Sequence, residues 1–468
     1  MYYTLREDLV LRGWDKLPYA LVRRPKNEVF FLNAASFEIV SLCDGRIDCD
    51  LPIIPRATRE AIGNLAREGA VVASEKPGAL LEDQKYVKYG NRFIRTVHWS
   101  VTGRCNYRCK HCYMSAPEAK LGELDHGTMM GIVEQIAQAG VQEVSLTGGE
   151  PLVRKDFMAL VDALLERRIH IVQIYSNGKL VTRELLQALD KRGIHPGFNL
   201  SYDGDEGWHD WLRGIPEAGR VALEAFDLCH EMGFPTGAEM CLHQGNKHLL
   251  RQSVRTLAAH HCASLKTNPV SQSDLWAAYD RDYSLGMAEL YDVYLDYIPK
   301  FFEDGMPLSL MLGGFFYCEK GSGEWFIPSV HEEAGREGRR TVCGHARNVL
   351  YLSPEGRMLP CFSLSAFDIQ NEFPLITQIG LTAGLTDSVY MRLIDTRVEE
   401  YLRLNPECDA CGHKAACGGG CRAGALGARG AGGLMEPDPA ACLMFKGGYP
   451  EKIREAAASG IRAAAALS

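Results

Sequence analysis

Thr102-Gly-Arg-Cys-Asn-Tyr-Arg-Cys-Lys-His-Cys-Tyr113 carries three cysteines, Cys105, Cys109 and Cys112, spaced Cys-x3-Cys-x2-Cys. So short a loop can turn three thiolates toward one point. Three thiolates are one short of the four that ordinarily hold a [4Fe-4S] cluster. An open coordination position separates a reactive metal site from a closed structural one. The loop follows an apolar run, Ile94 to Val101, broken by Arg95 and His98. That run reads as a strand, so the cysteines lie beyond a strand's C-terminal end, where chemistry collects in barrel folds. The plain alternative is a zinc knuckle, with His111 as a fourth ligand cramped between two cysteines. A disulfide set would need an oxidising compartment.

Composition narrows the class. A chain of 468 residues predicts about three domains, and 46% hydrophobic residues suffice for several cores. Lys and Arg number 51 against 59 Asp and Glu, a net charge of −8 without long single-sign blocks, which argues against a nucleic-acid partner. No apolar run approaches the ~20 residues of a membrane span. The opening Met-Tyr-Tyr-Thr-Leu-Arg-Glu-Asp lacks the basic and apolar segments of a secretion signal. The expected compartment is a reducing cytoplasm, where sixteen cysteines point to metal.

Residues 1–85 read as a first unit. Short apolar runs at 9–11, 19–22 and 28–32 are followed by helices at 33–42 and 58–67 and a last strand at 70–73. That order predicts a winged-helix module. Its 12 basic and 13 acidic residues disfavour phosphate-backbone binding. Cys43 reads as a core thiol and Cys49 as a surface one. A polar connection, Ser74 to Asn91, leads into residues 86–308, where strands and helices alternate. Strands are expected at 94–101, 143–146, 170–175, 198–202, 236–242 and 264–270. Helices are expected at 129–139, 157–168, 183–192, 218–232 and 247–259. Six such units imply a parallel sheet with crossover helices, an α/β fold of the partial (β/α)6 TIM-barrel kind. Polar groups recur at the strand tips: Thr147-Gly-Gly-Glu-Pro151, Tyr175-Ser-Asn-Gly178 and Asn199-Leu-Ser-Tyr-Asp-Gly204. Two glycines let backbone approach a ligand closely, and Glu150 adds a carboxylate. Cys229, Cys241 and Cys262 read as core residues, residues 284–303 as an amphipathic helix, 309–342 as a bridging region, and 446–468 as an Ala-rich terminal helix. The charged stretch Arg336–Arg340 reads as a solvated loop.

Residues 343–445 hold a second cysteine block. Cys343 is followed by twelve residues, Gly356, four residues and Cys361; then come Cys408-x2-Cys411-x5-Cys417-x3-Cys421 and Cys442. Ser353-Pro-Glu-Gly356 predicts a hairpin turn that brings Cys343 and Cys361 together. Seven cysteines exceed one tetrahedral site and suffice for two clusters, one of them short of a ligand. The x5 and x3 gaps do not fit a zinc ribbon.

The Cys-x3-Cys-x2-Cys loop after strand one and Gly-Gly-Glu-Pro after strand two together resemble the radical S-adenosylmethionine (SAM) enzymes. The later cysteines resemble their twin-cluster SPASM extension. Residues 1–85 resemble the PqqD-like recognition element of ribosomal-peptide maturation enzymes, on Leu32-Asn-Ala34, Leu42-Cys-Asp-Gly45 and Leu65–Gly69. These resemblances imply three [4Fe-4S] clusters and SAM as cofactors. Cys105, Cys109 and Cys112 would hold the SAM-binding cluster. Gly148, Gly149 and Glu150 would position the methionine amine, and Ser176, Asn177, Ser201 and Asp203 would contact carboxylate and ribose. Cys343, Cys361 and Cys421 would hold auxiliary cluster one, with Cys408, Cys411, Cys417 and Cys442 on cluster two. Val349 stands where family members carry a further cysteine, which leaves Cys318 as the nearby candidate for the fourth ligand of cluster one. The implied function is a peptide maturase. A 5′-deoxyadenosyl radical would remove hydrogen from a precursor peptide whose leader binds residues 1–85, and a Cys thioether would follow. Carbon–carbon crosslinking, epimerisation, a formylglycine-type protein maturase and a non-catalytic electron carrier are the alternatives. A flavodoxin or ferredoxin is the expected electron donor, with no nucleic acid or membrane partner.

Overall fold

The structure, a computed structural model, describes residues 1–467 except 117, 119, 272, 332–336 and 430–432. The N-terminal module contains β1 (Tyr2–Leu5), β2 (Leu9–Asp15), β3 (Leu17–Arg23), β4 (Glu28–Phe31), α1 (Ala34–Ser41), α2 (Arg56–Arg67), β5 (Val71–Ser74) and β6 (Val87–Arg92). Asn33 caps α1 by accepting from the Ser36 amide at 2.8 Å. β1 pairs with β5, and β4-β3-β2-β6 form a second sheet with β4 at its edge. β2 is buried on both faces because it separates two cores. Leu9 and Leu11 join Val40, Ile62 and Val71, while Val10 and Trp14 join Ala20 and Val22.

Two details differ from the sequence expectation. The polar connection contains β6, which pairs in parallel with β2, so the sheet runs past residue 85 to Arg92. Cys49 is buried, not a surface thiol, since its loop folds back to give its amide to the Met1 carbonyl at 2.9 Å.

The central sheet begins with the six expected strands: β7 (Thr96–Ser100), β8 (Glu143–Thr147), β9 (His170–Ser176), β10 (Gly197–Ser201), β11 (Thr236–Leu242) and β12 (Ser264–Pro269). All six are parallel, each beside the next. Their crossovers are α3 (His126–Gln138), α4 (Phe157–Glu166), α5 (Arg183–Asp190), α6 (Glu206–Arg213) with α7 (Ala218–Glu231), and α8 (Leu250–Ala259). Val97, Trp99, Val144, Leu146, Ile174, Phe198 and Leu200 are buried in the common core. The alternate residues occupy the lumen, where the register sets Asn199 beside Tyr175 and Glu239 beside Lys266. This alternation follows from the period of two along a strand.

The sheet does not stop where the barrel was expected to end at residue 308. After α9 (Met287–Glu303) it continues through β13 (Ser309–Leu312), β14 (Phe316–Cys318) and β15 (Trp325–Phe326). At the opposite edge, β16 (Val349–Leu352) pairs in parallel with β7, and β17 (Met358–Leu359) completes the turn. The result is an open eleven-stranded α/β sheet, β15-β14-β13-β12-β11-β10-β9-β8-β7-β16-β17. Gly356 makes the predicted turn at φ +84°. α10 (Tyr449–Leu467) lies along α9; a Cβ on Gly460 would sit 2.7 Å from Pro299 Cα. Arg336 lies outside the described residues, while Arg340 is tied down, its carbonyl accepting from the Val398 amide at 2.9 Å. Among the described residues no helix is long and apolar enough to cross a membrane.

Candidate active site at the barrel mouth

The cysteine loop is fixed by backbone before any cofactor is considered. Gly149 N donates to Thr102 O at 2.8 Å and Glu150 N to Arg104 O at 2.9 Å, so the Gly-Gly-Glu turn lies along the cysteine loop. Both glycines are required by contact. A Cβ at Gly149 would stand 2.4 Å from Arg104 O, and one at Gly148 2.6 Å from Thr102 O. From the other side, Arg108 N and Lys110 N donate to Arg213 O and Leu212 O at the end of α6.

Glu150 is fully buried. Its carboxylate accepts from Ser176 Oγ at 3.0 Å, Asn177 N at 2.8 Å and Leu152 N at 3.2 Å. Burial pushes the Glu150 carboxyl up to about 7, against the pull of those donors. Asn177 then reaches the cysteine loop, with Nδ2 2.6 Å from Asn106 Oδ1 and 3.9 Å from Cys105 Sγ. Four expected groups, Cys105, Glu150, Ser176 and Asn177, are thus joined in one network. Ser201 ends β10, half-buried at the same mouth.

Asp203 has another task. Its carboxylate is buried and receives Arg213 Nε at 2.7 Å and Cys241 N at 2.9 Å. Burial opposes its ionisation most strongly, but the Arg213 charge together with the His209 ring beside it outweighs that and holds the carboxyl well below its usual range. Arg213 Nη1 in turn lies 3.9 Å from Cys109 Sγ. Burial pushes His111 down to about 3, so its ring is neutral.

The thiols fall into separate groups. Burial raises Cys105 to about 12, and the charges of Cys109 and Cys112 add to the rise. Burial likewise raises Cys361 to about 12, with Cys421 and Cys343 adding theirs. Cys417 is raised to about 11 by burial, with Cys442 and Cys408 contributing, and Cys442 feels Cys408 and Cys411. These are the sets 105/109/112, 343/361/421 and 408/411/417/442. Thiols of intermediate exposure, with Cys421 exposed, that oppose one another's ionisation suit a cationic centre, which stabilises thiolates by coordination. Among the described residues no three Cys, His, Asp or Glu side chains close on a single ion. An iron–sulfur core, with four irons and four sulfides between its ligands, separates those ligands far more widely than one ion does. Cys318 is buried at the end of β14, its Sγ 3.7 Å from Glu319 O, and Glu319 is the charge acting on it.

The Radical SAM superfamily model matches residues 99–252, the stretch that contains this network. The chain is a radical SAM enzyme. It is 31% identical over 151 residues to Fe-coproporphyrin III synthase of Methanosarcina barkeri, a match spanning 32% of this chain and 37% of the relative. It is 24% identical to PqqA peptide cyclase of Granulibacter bethesdensis over 72% of this chain and 84% of that one. In fold it matches Streptococcus suis SuiB bound to precursor peptide SuiA, with a TM-score of 0.62, 16% identity, and coverage of 94% and 99% of the two chains. This radical SAM enzyme therefore resembles SPASM-type peptide maturases and haem synthases.

Sequence reading missed the Asp203–Arg213 pair as a support for Cys109. The signal was present in the polar residues after β10, but their pairing depends on α6 turning back over the loop. The Gly149 contact carries a prediction. Gly149→Ala should displace the cysteine loop and cut iron incorporation at the first site severalfold, measured by iron content after anaerobic reconstitution; unchanged iron would contradict the close approach.

Proposed function

We propose that this radical SAM enzyme matures a ribosomally made precursor peptide and most favours a Cys thioether crosslink. The observation that carries the reading is the open edge of β4 on a small module fused to the radical SAM sheet. β4 pairs on one side alone, and Phe30 and Phe31 are 42% and 48% exposed on it. An extended leader can add there as a further strand. The module is docked on the barrel, with Trp14 Nε1 donating to Ala139 O at 3.3 Å and Asn27 Nδ2 to Gln142 O at 2.8 Å.

Cys105, Cys109 and Cys112 would hold the SAM-binding cluster. Cys343, Cys361 and Cys421 would hold one auxiliary cluster, and Cys408, Cys411, Cys417 and Cys442 the other. Bound there, the cluster and SAM supply the 5′-deoxyadenosyl radical, the hard chemistry being the cofactor's. The chain's own residues hold and orient. Arg213 offsets charge at Cys109, Asn177 ties Glu150 to the cysteine loop, and Glu150 presents a carboxylate to an amine. With three cysteines at the first auxiliary site, a substrate thiolate has a place to bind.

Anaerobic incubation with SAM and a reductant should release 5′-deoxyadenosine. Co-expression with a short neighbouring Cys-containing reading frame should give a peptide lighter by two hydrogens whose cysteine resists alkylation. A lighter peptide with an alkylatable cysteine would mean a carbon–carbon crosslink, and an unchanged mass with inverted configuration an epimerase. No 5′-deoxyadenosine at all would leave an electron carrier.

Glu150 also sets a pH dependence. Its buried carboxyl is protonated below about 7, and only the carboxylate attracts an ammonium group. SAM affinity should therefore fall as pH is lowered through 7. Glu150→Gln should weaken binding by roughly tenfold at pH 8 and remove the slope, as read by equilibrium dialysis on reconstituted protein.

A further inference from the structure

A cavity of about 980 Å³ is lined both by residues of β12 and by two of the first auxiliary cysteines. Lys266, Asn268, His345, Arg347, Cys343 and Cys421 are among its lining residues. Its wall is strongly biased in charge. Lys266, Arg339, Arg340, Arg347, Arg397 and Arg422 face it, with Asp438 as the acid among the described lining residues. Asp438 is already engaged by the amides of Cys421 and Ala440.

Three of these six cations are committed to main chain. Arg422 donates to Leu434 O and Glu436 O at 3.0 Å each. Arg340 donates to Ala415 O at 2.9 Å, and Arg397 to Arg339 O at 3.2 Å. Two are not. Lys266 Nζ stands 3.8 Å from Glu239 Oε1, beyond hydrogen-bond reach. Arg347 makes no hydrogen bond or ion pair among the described residues, although it is half-buried. Burial and the neighbouring Arg397 both disfavour its charge, so an incoming anion would relieve it.

A cluster counter-charge is the competing explanation, and the positions argue against it for this pair. Arg422 is the cation acting on Cys343. Lys266 instead acts on His98 of β7, and Arg347 feels Arg397, Asp395 and Arg92. We infer that Lys266 and Arg347 form a clamp for a carboxylate on the peptide segment carried into the cavity. That carboxylate belongs to an acidic side chain beside the modified residue or to the peptide's own C-terminus. A guanidinium and an ammonium offer it charge-assisted hydrogen bonds in a partly dry site. The inference rests on the peptide-maturase reading and adds the substrate chemistry to it.

Three short peptides test it by titration calorimetry on the reconstituted holoenzyme: acetyl-Gly-Glu-Gly-amide, acetyl-Gly-Gly-Gly with a free carboxylate, and acetyl-Gly-Gln-Gly-amide. At least one acidic peptide should bind about tenfold more tightly than the Gln peptide, and whichever does identifies the source of the carboxylate. Lys266→Met and Arg347→Met should each erase that preference, and Lys266→Arg should restore part of it. Iron content and the thermal unfolding midpoint check that the variants fold. Equal or absent binding of all three peptides overturns the clamp, as does acid preference that survives both Met variants. Coproporphyrin III binding through Lys266 and Arg347, with neither acidic peptide binding, overturns the peptide assignment. Release of 5′-deoxyadenosine by the wild-type enzyme is scored separately. Its absence sinks the radical reading, while its presence without acid preference sinks the clamp alone.

Discussion

Cys109→Ala should reduce 5′-deoxyadenosine formation by at least about a thousandfold, to background, and lower total iron by about a third while both auxiliary sites stay loaded. The size of the effect follows from position. Cys109 sits between the other two thiols of its loop, and Arg213 Nη1, itself held by Asp203, lies 3.9 Å from its Sγ. Removing that sulfur leaves two thiols, too few to fix a cluster with one open iron. The buried ion pair beside it remains, so the barrel should still fold. Iron and sulfide analysis, with chromatographic assay of 5′-deoxyadenosine, reads both halves. Turnover within tenfold of wild type would remove Cys109 from the ligand set, and zinc in place of iron would remove the cluster.

How much of this was legible in the sequence depended on how local each signal was. The six parallel strands were visible because Ile94–Val101, His170–Tyr175 and Thr236–Leu242 carry their own period and end in recognisable turns. The Cys-x3-Cys-x2-Cys loop was visible for the same reason, its spacing being short-range, whereas the grouping of the later cysteines came from the family resemblance and not from their spacing. β6 was hidden because Val87–Arg92 contains Lys88, Gly90 and Asn91; its pairing comes from Tyr89 stacking on Trp14, with ring centroids 5.6 Å apart, a contact supplied by a distant strand. β13 to β17 were hidden because strands of two to four residues show no period at all. Their existence is decided by edges that β12 and β7 leave open. Cys318 illustrates the limit from the other direction. Its position in the chain brings it near the auxiliary block, but its place in β14 turns it into the sheet's apolar core. Spacing alone does not distinguish those outcomes.

Arg213→Met should destabilise the folded enzyme by about 3–5 kcal/mol, the cost of leaving one member of a buried pair without its partner. Asp203 is fully buried, and its acceptors are filled by Arg213 Nε and the Cys241 amide. Its amide donates to His209 Nδ1 at 2.9 Å, so that ring nitrogen accepts and His209 does not replace the lost cation. Asp203→Asn should cost a comparable amount, because it strands Arg213 instead. The two differ in their response to pH. In the wild type the Asp203 carboxyl is depressed, so its stabilisation is fully present above the unfolded value near 3.9 and is lost only as pH falls through the lower folded value. In Arg213→Met, burial is opposed by the Cys241 amide without the guanidinium, and the carboxyl rises. That contribution is retained at low pH and lost as pH rises through the raised value, so the deficit against wild type should shrink between pH 8 and pH 5. In Asp203→Asn the stranded guanidinium does not titrate, and the deficit should stay flat over the same range. Replacing both, Asp203→Asn with Arg213→Met, removes the uncompensated charge and should recover part of the loss. Thermal unfolding midpoints of the four proteins at pH 5 and pH 8 decide it. Single-variant losses below about 1 kcal/mol would place the pair among weakly coupled surface-like contacts, and Arg213 would no longer be the residue that seats the cysteine loop.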